Sequence, residues 1–581
     1  MAVKPRVNVV TIGGGWTSAI LGWKLGEAGH KVVAIELGPG RWANPGFQHN
    51  HDGLRFHARH AMMINLRNET WTWRPNPDSP SLPMRQYGTF NPGQGLGGAG
   101  IHWTAQLWRF YPQDFRLRSS IIERYGEEKL PEGNTIQDWP VSYDELEPYY
   151  TQFEWDIGAS GDADANPLGP PRSRPYPNPP LQHNIVGDMF LEAATQLGYH
   201  PFPFSSGILS QSYTDPFGNV RSGCLYCGFC TRYGCEVDAK SSPQTTHIPA
   251  ALNTGNYEVR TRSRVLGINV DDSGYATGVN YVDENGEEHE QPADVVVLSG
   301  FTLTNVRMLL LSRGGPHGDG IGNDRGRVGK NYTYQHFVSP WRGHFPGKNL
   351  NLYMGNGTTM MAMHDLVGAN LDHSDLDFIG GAQVWSSSGE RDPETTVGGF
   401  PIEGTGDGRK WGQTWKDALR DQWNSTADLI MEGDSMPYVD QFLDLDPVYR
   451  ATDGQPLLRL TFDWHENDYA MYRYVAERVK GIMEQMGPDL IEAPTELDPY
   501  NVHQYQSTHP TGGAIMGSDP DNSVTNKYGQ VWDTPNVFVT GAALFPQNAA
   551  ANPTDTVAAI TYMQGDAIRD QYFANERKLM A

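Results

Sequence analysis

Four thiols fall within a dozen positions. Cys224, Cys227, Cys230 and Cys235 lie in the stretch GCLYCGFCTRYGCEVDAK (223–240), and the rest of the 581-residue chain has no cysteine. Two disulfides packed so closely would be strained and would close only short loops. Zinc accepts four cysteine ligands, usually as two separated pairs. An iron–sulfur cluster suits the spacing C-x2-C-x2-C-x4-C best, because closely spaced thiolates on one loop can wrap it. The proline that commonly follows the last cysteine of such runs is replaced by Glu236.

A second set of residues suits proton and hydride chemistry. His509, in STHPTGG (507–513), offers an imidazole, the side chain best suited to moving a proton at neutral pH, and Pro510 keeps it out of helical geometry. Taken alone, a histidine before proline is an ordinary loop residue. Asn552, in NPTDTVAAI, reads as a helix N-cap with Pro553 at the first helical position. His49, His51, His57 and His60 form a group that could bind metal, but their spacing fits no ligand pattern.

Elements of an α/β fold must position these residues. VNVVTI (7–12) reads as a buried strand, WTSAILGWKLGEAG as a helix closing on Gly29, and KVVAIE as a second strand. The turn between the first strand and the helix, GGGWTS (13–18), places Gly13 and Gly15 where backbone can approach a pyrophosphate at a helix N-terminus. Ser18 takes the third small-residue position, and Glu36 stands where a carboxylate can hold ribose hydroxyls. A second glycine cluster, GQGLGGAGIHWTAQLWRF (93–110), contributes Gly97, Gly98 and His102. A third segment, NVFVTGAALFPQNAAANPTDTVAAI (536–560), contributes Gly541. Val265 lies in the strand-like run 257–271 and is carried with them as a cofactor contact. Segments so far apart suit a long dinucleotide such as FAD threaded through a discontinuous domain. Further strand-like runs cover 274–290 and 294–300, QPLLRLTFDW reads as a strand, and NDYAMYRYVAERVKGIMEQMG reads as an amphipathic helix capped by Asn467.

QGLGGAGIHW, SYDELEPYY, HPTGGAIMG and the NP before the last helix occur together and in this order. In these motifs the chain resembles the glucose–methanol–choline oxidoreductases. Within them it is most similar to the flavoprotein subunits of the bacterial gluconate 2-dehydrogenase, fructose dehydrogenase and glucose dehydrogenase group. The resemblance covers the flavin-domain segments and the cysteine loop, and matches 336–500 only loosely. It implies that His509 is the base for a substrate hydroxyl and that Asn552 binds that hydroxyl. It also implies a three-iron cluster at the cysteines, for which three ligands suffice. The GGAGIHW segment is similar to that of pyranose oxidase-like members, which implies a covalent bond from His102 to the flavin.

The expected architecture is therefore a discontinuous Rossmann-like FAD domain (1–50, 85–165, 244–335, 505–581) and a substrate domain with an antiparallel sheet (336–504). A cysteine-rich iron–sulfur insertion (205–243) and a Pro-rich connecting segment (166–204) complete it. The expected activity is oxidation of a secondary or anomeric hydroxyl of a sugar, glycoside or sugar acid, with electrons leaving through the cluster. Oxidation of a glycoside at carbon 3, an oxygen-using enzyme with a structural cysteine loop, and a non-catalytic flavin-binding protein are the alternatives. The resemblance further implies a small partner subunit and a cytochrome c subunit, and a periplasmic location reached on a partner's signal. A strand pattern close to the N-terminus leaves no room for a signal peptide, which agrees equally with a cytoplasmic enzyme. Lys and Arg total 44 against 68 Asp and Glu, a formal charge of -24, which argues against nucleic acid as a partner. No apolar run reaches the roughly 18 residues that span a bilayer, so membrane contact is expected only through a partner.

Overall fold

The structure is a computed structural model and describes residues 1–41, 52–66, 69–84, 90–337, 341–351, 354, 358–387, 410–502, 507–574 and 579. In chain order, the elements used below begin with β1 (Val7–Ile12), α1 (Trp16–Glu27), β2 (Val32–Ile35), α2 (Tyr143–Ile157), α3 (Ile185–Gln196) and β3 (Phe202–Pro203). Then come α4 (His247–Asn253), β4 (Tyr257–Arg260), β5 (Arg264–Val270), β6 (Ala276–Val282), β7 (Glu288–Leu298) and α5 (Thr302–Leu311). The second half supplies β8 (Trp341–His344), β9 (Met361–Met363), β10 (Ala382–Ser387), β11 (Thr426–Gly433), β12 (Phe442–Arg450) and β13 (Pro456–Thr461). It ends with α6 (Glu466–Met486), β14 (Leu490–Glu492), β15 (Val537–Val539) and α7 (Thr554–Ala567).

The first sheet has a parallel core in the order β15, β7, β1, β2, β4. Both of its faces are buried, and its strands read as continuous apolar runs for that reason. Val9, Val32, Ala34, Val295 and Val297 pack under Leu21 and Leu25 of α1, while Val10, Ile12, Val33, Ile35, Val296 and Leu298 face the opposite core. The N-terminal half of β7 pairs antiparallel with β6, which pairs antiparallel with β5. The run 257–271 is thus two strands rather than one. They part at 261–263, where Arg262 turns to a φ of +53° and donates its backbone N–H to Gly38.

The second sheet is antiparallel, in the order β14, β8, β11, β10, β9, β3. Its side chains alternate between two environments, as strand geometry requires. Ala382, Val384, Ala427, Leu429 and Met431 pack against α6 and α3. Gln383, Trp385 and Ser387 stand directly opposite Glu432, Ile430 and Asp428 on the other face.

Two caps differ from the sequence reading. The N-cap of α6 is His465, whose side chain and that of Asp468 form a capping box. Asn467 lies inside the helix, and its amide bonds both N–H and C=O of Ile379. Helix α7 starts at Thr554 with Pro553 as its N-cap, so Asn552 stands one position earlier and caps nothing. QPLLRLTFDW contains β13, which pairs with β12. The cysteine-bearing residues 222–239 contain no helix or strand. No helix among the described residues is long and apolar enough to cross a membrane.

Candidate active site

A cavity of about 710 Å³ runs between the two sheets. Gly13, Gly15, Glu36, Gly97, Gly98, His102, Val265, Gly541, His509 and Asn552 all line it, although they come from six stretches of the chain. At one end the glycine loops make a cradle of bare backbone. Gly13 has a φ of +109°, and a Cβ there would sit 2.7 Å from the carbonyl oxygen of Ser299. Gly97 donates its N–H to Gly14, and a Cβ on Gly98 would touch the Cα of Gly15, so the first two glycine clusters abut. Ser18 does more than stay small. Its hydroxyl bridges Thr11 of β1 (2.7 Å) and Tyr257 of β4 (3.1 Å), tying α1 to two strands.

Glu36 is buried, and its carboxylate accepts backbone N–H groups of Gly14 (2.9 Å), Gly38 (2.7 Å) and Gly95 (3.1 Å). Burial pushes its carboxyl pKa upward against these bonds. Its oxygens keep lone pairs for further donors, so the side chain organises the glycine loops and still fits a ribose. A bare-backbone turn at the start of α1, a carboxylate at the end of β2 and a long cavity between two sheets suit an extended dinucleotide such as FAD.

Midway along the cavity, His102 is buried, and burial chiefly, with Lys240 beside it, lowers its pKa to about 3. Its Nε2 has no hydrogen-bond partner among the described residues. His102 thus lines the cavity as a neutral imidazole whose Nε2 is buried and unpartnered.

At the far end, His509 is held from both sides. Its backbone N–H donates to Ser507 Oγ, and its carbonyl accepts from Asn548 Nδ2 at 3.2 Å. Nδ1 lies 2.5 Å from Gln335 Oε1 and 2.8 Å from Glu432 Oε1. Gln335 uses its own amide N–H groups on the carbonyls of Ala549 (2.6 Å) and Ala551 (3.1 Å), so its oxygen must face the histidine. The Gln335 oxygen accepts at Nδ1, so the hydrogen sits there, with Glu432 Oε1 beside it at ion-pair distance but outside hydrogen-bond geometry, and Nε2 is left with a lone pair. That nitrogen is 3.5 Å from Asn552 Nδ2. Glu432 is fully buried, and its second oxygen accepts from Gln383 Nε2 at 2.6 Å. The arrangement can take a proton at Nε2, donate a hydrogen bond from Asn552, and stabilise the resulting imidazolium with Glu432.

Glu432, Gln383 and Gln335 were absent from the sequence reading. In TADLIMEG, Glu432 is one of two acidic residues, with Asp428, in an otherwise largely apolar strand, a signal that pointed to no partner. Trp385, Ile430, Met360, Ser387 and Asp428 complete the wall near His509.

The four cysteines do not line the cavity, but Thr231 and Arg232, between Cys230 and Cys235, do. The backbone N–H of Arg232 donates to the carbonyl of His102 (2.8 Å). Lys240, buried, donates to the carbonyls of Trp103, Cys230 and Tyr233 at 2.6–2.8 Å. The cysteine loop is thus stitched to the segment that carries His102. All four cysteines are free thiols. Burial raises Cys224 to about 11 and also raises Cys227, so neither is an activated nucleophile. A single tetrahedral zinc would hold its sulfurs about 3.8 Å apart. Among the described residues, only Asp283, Glu287 and His289, and His317, Asp324 and Asp533, bring three ligand atoms within 4.8 Å. The four cysteines form no such group. Of the four N-terminal histidines, His60 is buried and joins no such group. His49 and His51, and the side chain of His57, lie outside the described residues.

Family models described as GMC oxidoreductase match residues 139–338 and 440–561. The gluconate 2-dehydrogenase flavoprotein of Pantoea cypripedii is 39% identical, over 99% of this chain and 95% of its own. The 2-methyl-1,2-propanediol dehydrogenase of Mycolicibacterium austroafricanum is 29% identical over 98% and 96%. The fructose dehydrogenase large subunit of Gluconobacter japonicus is 24% identical over 97% of both. Among solved structures, formate oxidase of Aspergillus oryzae RIB40 superposes with a TM-score of 0.61 at 16% identity, covering 99% of both chains.

Proposed function

The chain belongs to the GMC oxidoreductase family and is an FAD-dependent oxidoreductase acting on CH–OH groups; from that premise we propose that it is a dehydrogenase for a secondary or anomeric hydroxyl of a sugar, glycoside or sugar acid. The observation that carries the reading is that one cavity is lined both by the glycine-rich cradle and by the His509–Asn552 pair. Gly13, Gly15, Gly97, Gly98, Glu36, Val265 and Gly541 hold FAD, which supplies the hydride acceptor. Asn552 Nδ2 fixes the substrate oxygen, and His509 Nε2 takes its proton. Trp385 and Ile430 give the sugar an apolar wall, with Ser387 and Asp428 as hydrogen-bond partners. The names of the relatives above support a sugar-type substrate.

In this reading His102 is bonded covalently to the flavin, as its uncharged, unpartnered nitrogen permits. Cys224, Cys227, Cys230 and Cys235 supply the ligands of an iron–sulfur cluster of the three-iron type, which relays single electrons to an acceptor such as a cytochrome c. The stitching of the loop to His102 supports this path. A small partner subunit and a cytochrome subunit on the periplasmic side of the inner membrane complete the proposal, and co-purification tests them. The deciding experiment measures iron and acid-labile sulfide per flavin on anaerobically purified protein, with D-gluconate, D-fructose and methyl glucosides screened for flavin bleaching. Cluster stoichiometry with bleaching supports the dehydrogenase. Zinc or no metal, with rapid reoxidation by oxygen, would replace it with an oxidase.

A further inference from the structure

Gln383 lies behind both members of the His509–Asn552 pair and touches neither the cavity's glycine cradle nor the cysteine loop. Its side-chain NH2 has two hydrogens and two acceptors. One is Glu432 Oε2 at 2.6 Å, and the other is Asn552 Oδ1 at 3.5 Å. These contacts force its carbonyl oxygen to the opposite side, where His364 Nε2 lies 3.3 Å away. His364 must therefore donate from Nε2, which leaves Nδ1 to accept from the Tyr111 hydroxyl (2.9 Å) and Asn166 Nδ2 (3.2 Å). Burial lowers the His364 pKa to about 4, so its ring is neutral, as this single-donor arrangement requires.

From Tyr111 to Glu432 the hydrogens point one way, and the Nδ1–H of His509 faces Glu432 from the other side. Tyr111 donates to His364, His364 to Gln383, and Gln383 to Glu432, which faces the Nδ1–H of His509. The alternative amide orientation of Gln383 would set its oxygen against the Glu432 carboxylate in a fully buried site, a repulsion with no water to relieve it. Strand register explains why one residue can serve both partners. Gln383 and Glu432 are direct cross-strand neighbours on β10 and β11, on the face that looks toward the loop carrying Asn552.

We propose that Gln383 is the positioning residue of the catalytic pair: through one amide it holds Glu432 beside His509 and turns Asn552 so that its NH2, not its oxygen, meets the substrate. The inference rests on the reading of His509 and Asn552 as that pair. An amide is what the position needs, because a neutral donor to two acceptors and an acceptor for His364 must coexist in one planar group. Glutamate is the same size and can replace the donor only while it holds a proton.

The test uses holoenzyme variants and anaerobic stopped-flow reduction of the flavin, with whichever of D-gluconate, D-fructose or methyl glucoside bleaches wild type fastest. Gln383→Leu is expected to slow reduction by about 10- to 100-fold, part of what a general base contributes, and to raise the apparent substrate constant through the freed Asn552. Gln383→Glu gives the readout that a structural role would not move. Like charges at this distance raise one pKa, so the two carboxyls share a proton at low pH, and one donates to the other as the amide did. Its rate should approach wild type in acid and fall as pH rises through the raised value. The ionisable side chains facing the changed residue and its partner, His364 with Tyr111 behind it on one side and Glu432 with His509 on the other, keep their identity in both variants. So do His102, Asp428, Arg232, Arg264, Arg307, Glu36 and Glu69 along the cavity. Wild-type kinetics in Gln383→Leu, or a Gln383→Glu profile with no alkaline loss, would overturn the proposal. His509→Asn separates the two readings. If it still reduces flavin rapidly, the catalytic pair itself is misassigned; if it does not, a null result at Gln383 counts against Gln383 alone.

Discussion

The two chemically distinctive regions of this molecule are built in opposite ways. The cysteines are neighbours in sequence, yet they bring no three ligand atoms within 4.8 Å and sit on irregular backbone. Tyr226, Arg232 and Asp238 of that loop are three of the nine non-glycine residues with positive φ among those described. At the catalytic end, Gln335, Gln383, Glu432, His509 and Asn552 are scattered over more than two hundred positions, yet their donors and acceptors match. Side chains on paired strands are held by the sheet before any ligand arrives. A loop without helix or strand has no such register to hold its thiols and is fixed instead by individual bonds such as those from Lys240. Local motif strength and preorganisation are therefore separate properties, and this chain shows one without the other in each place.

The largest expected effect tests the preorganised end. His509→Ala should lower the rate of substrate-driven flavin reduction by roughly 10²- to 10⁴-fold while leaving flavin content unchanged, because the residue lies at the far end of the cavity from the glycine cradle. Loss of flavin together with activity would mean that the two ends are not independent. Next in size, Cys230→Ser should leave that half-reaction within about 2-fold of wild type but cut turnover with an external one-electron acceptor by about 10-fold or more, since the loop contributes nothing to proton removal. Equal loss in both half-reactions would erase the functional division between the regions.

Lys240 sharpens the comparison, because it supplies order to the loop from outside. One buried ammonium holds three carbonyls, two of them in the cysteine loop. Lys240→Met should destabilise the protein by about 3 kcal/mol, as charge-assisted bonds are lost and carbonyls are left unpaired. In a chain of this length that is a fall in Tm of about 3 °C, with loop proteolysis increasing first. Unchanged Tm would mean that the loop holds its shape by itself.

What the sequence showed follows the same division. Glycines that must approach backbone or a phosphate and an acid at a strand end carry local signatures, whereas His509 was singled out by the family motif around it. All ten non-cysteine candidates reached one cavity. The βαβ start, β13, α6 and α7 were legible from apolar periodicity, with cap positions displaced by one or two residues. Gln383 and Glu432 were not legible, because nothing in AQVWSS or TADLIMEG announces that the two strands pair with these residues opposite. Register between strands more than forty positions apart is set by the whole sheet and by α6 packed beneath it.

Preorganisation at the catalytic end also has a measurable price in acid chemistry, and the smallest expected effect probes it. Asp434 follows β11 directly and accepts the backbone N–H of Gly381 at 2.8 Å, closing the ends of β10 and β11 together. Asp114, half-buried, lies within its electrostatic reach and accepts the N–H of Tyr111 at 2.7 Å. Burial pushes Asp114 up to about 7, and burial together with Asp114 pushes Asp434 well above the carboxylate range. The native state therefore holds a proton that the unfolded chain has released once pH exceeds the ordinary aspartate value. Native protein binds more protons than unfolded protein in that window, so stability falls as pH rises from about 4 toward 7. Asp114→Asn keeps the acceptor for Tyr111 and offers Asp434 a permanent donor. It should remove roughly 2 kcal/mol of the loss between pH 5 and 8, so that its Tm relative to wild type climbs by about 2 °C across that range. A Tm difference that stays constant with pH would mean that the pair is solvated in the native state, and that the order at this end comes from the strands alone.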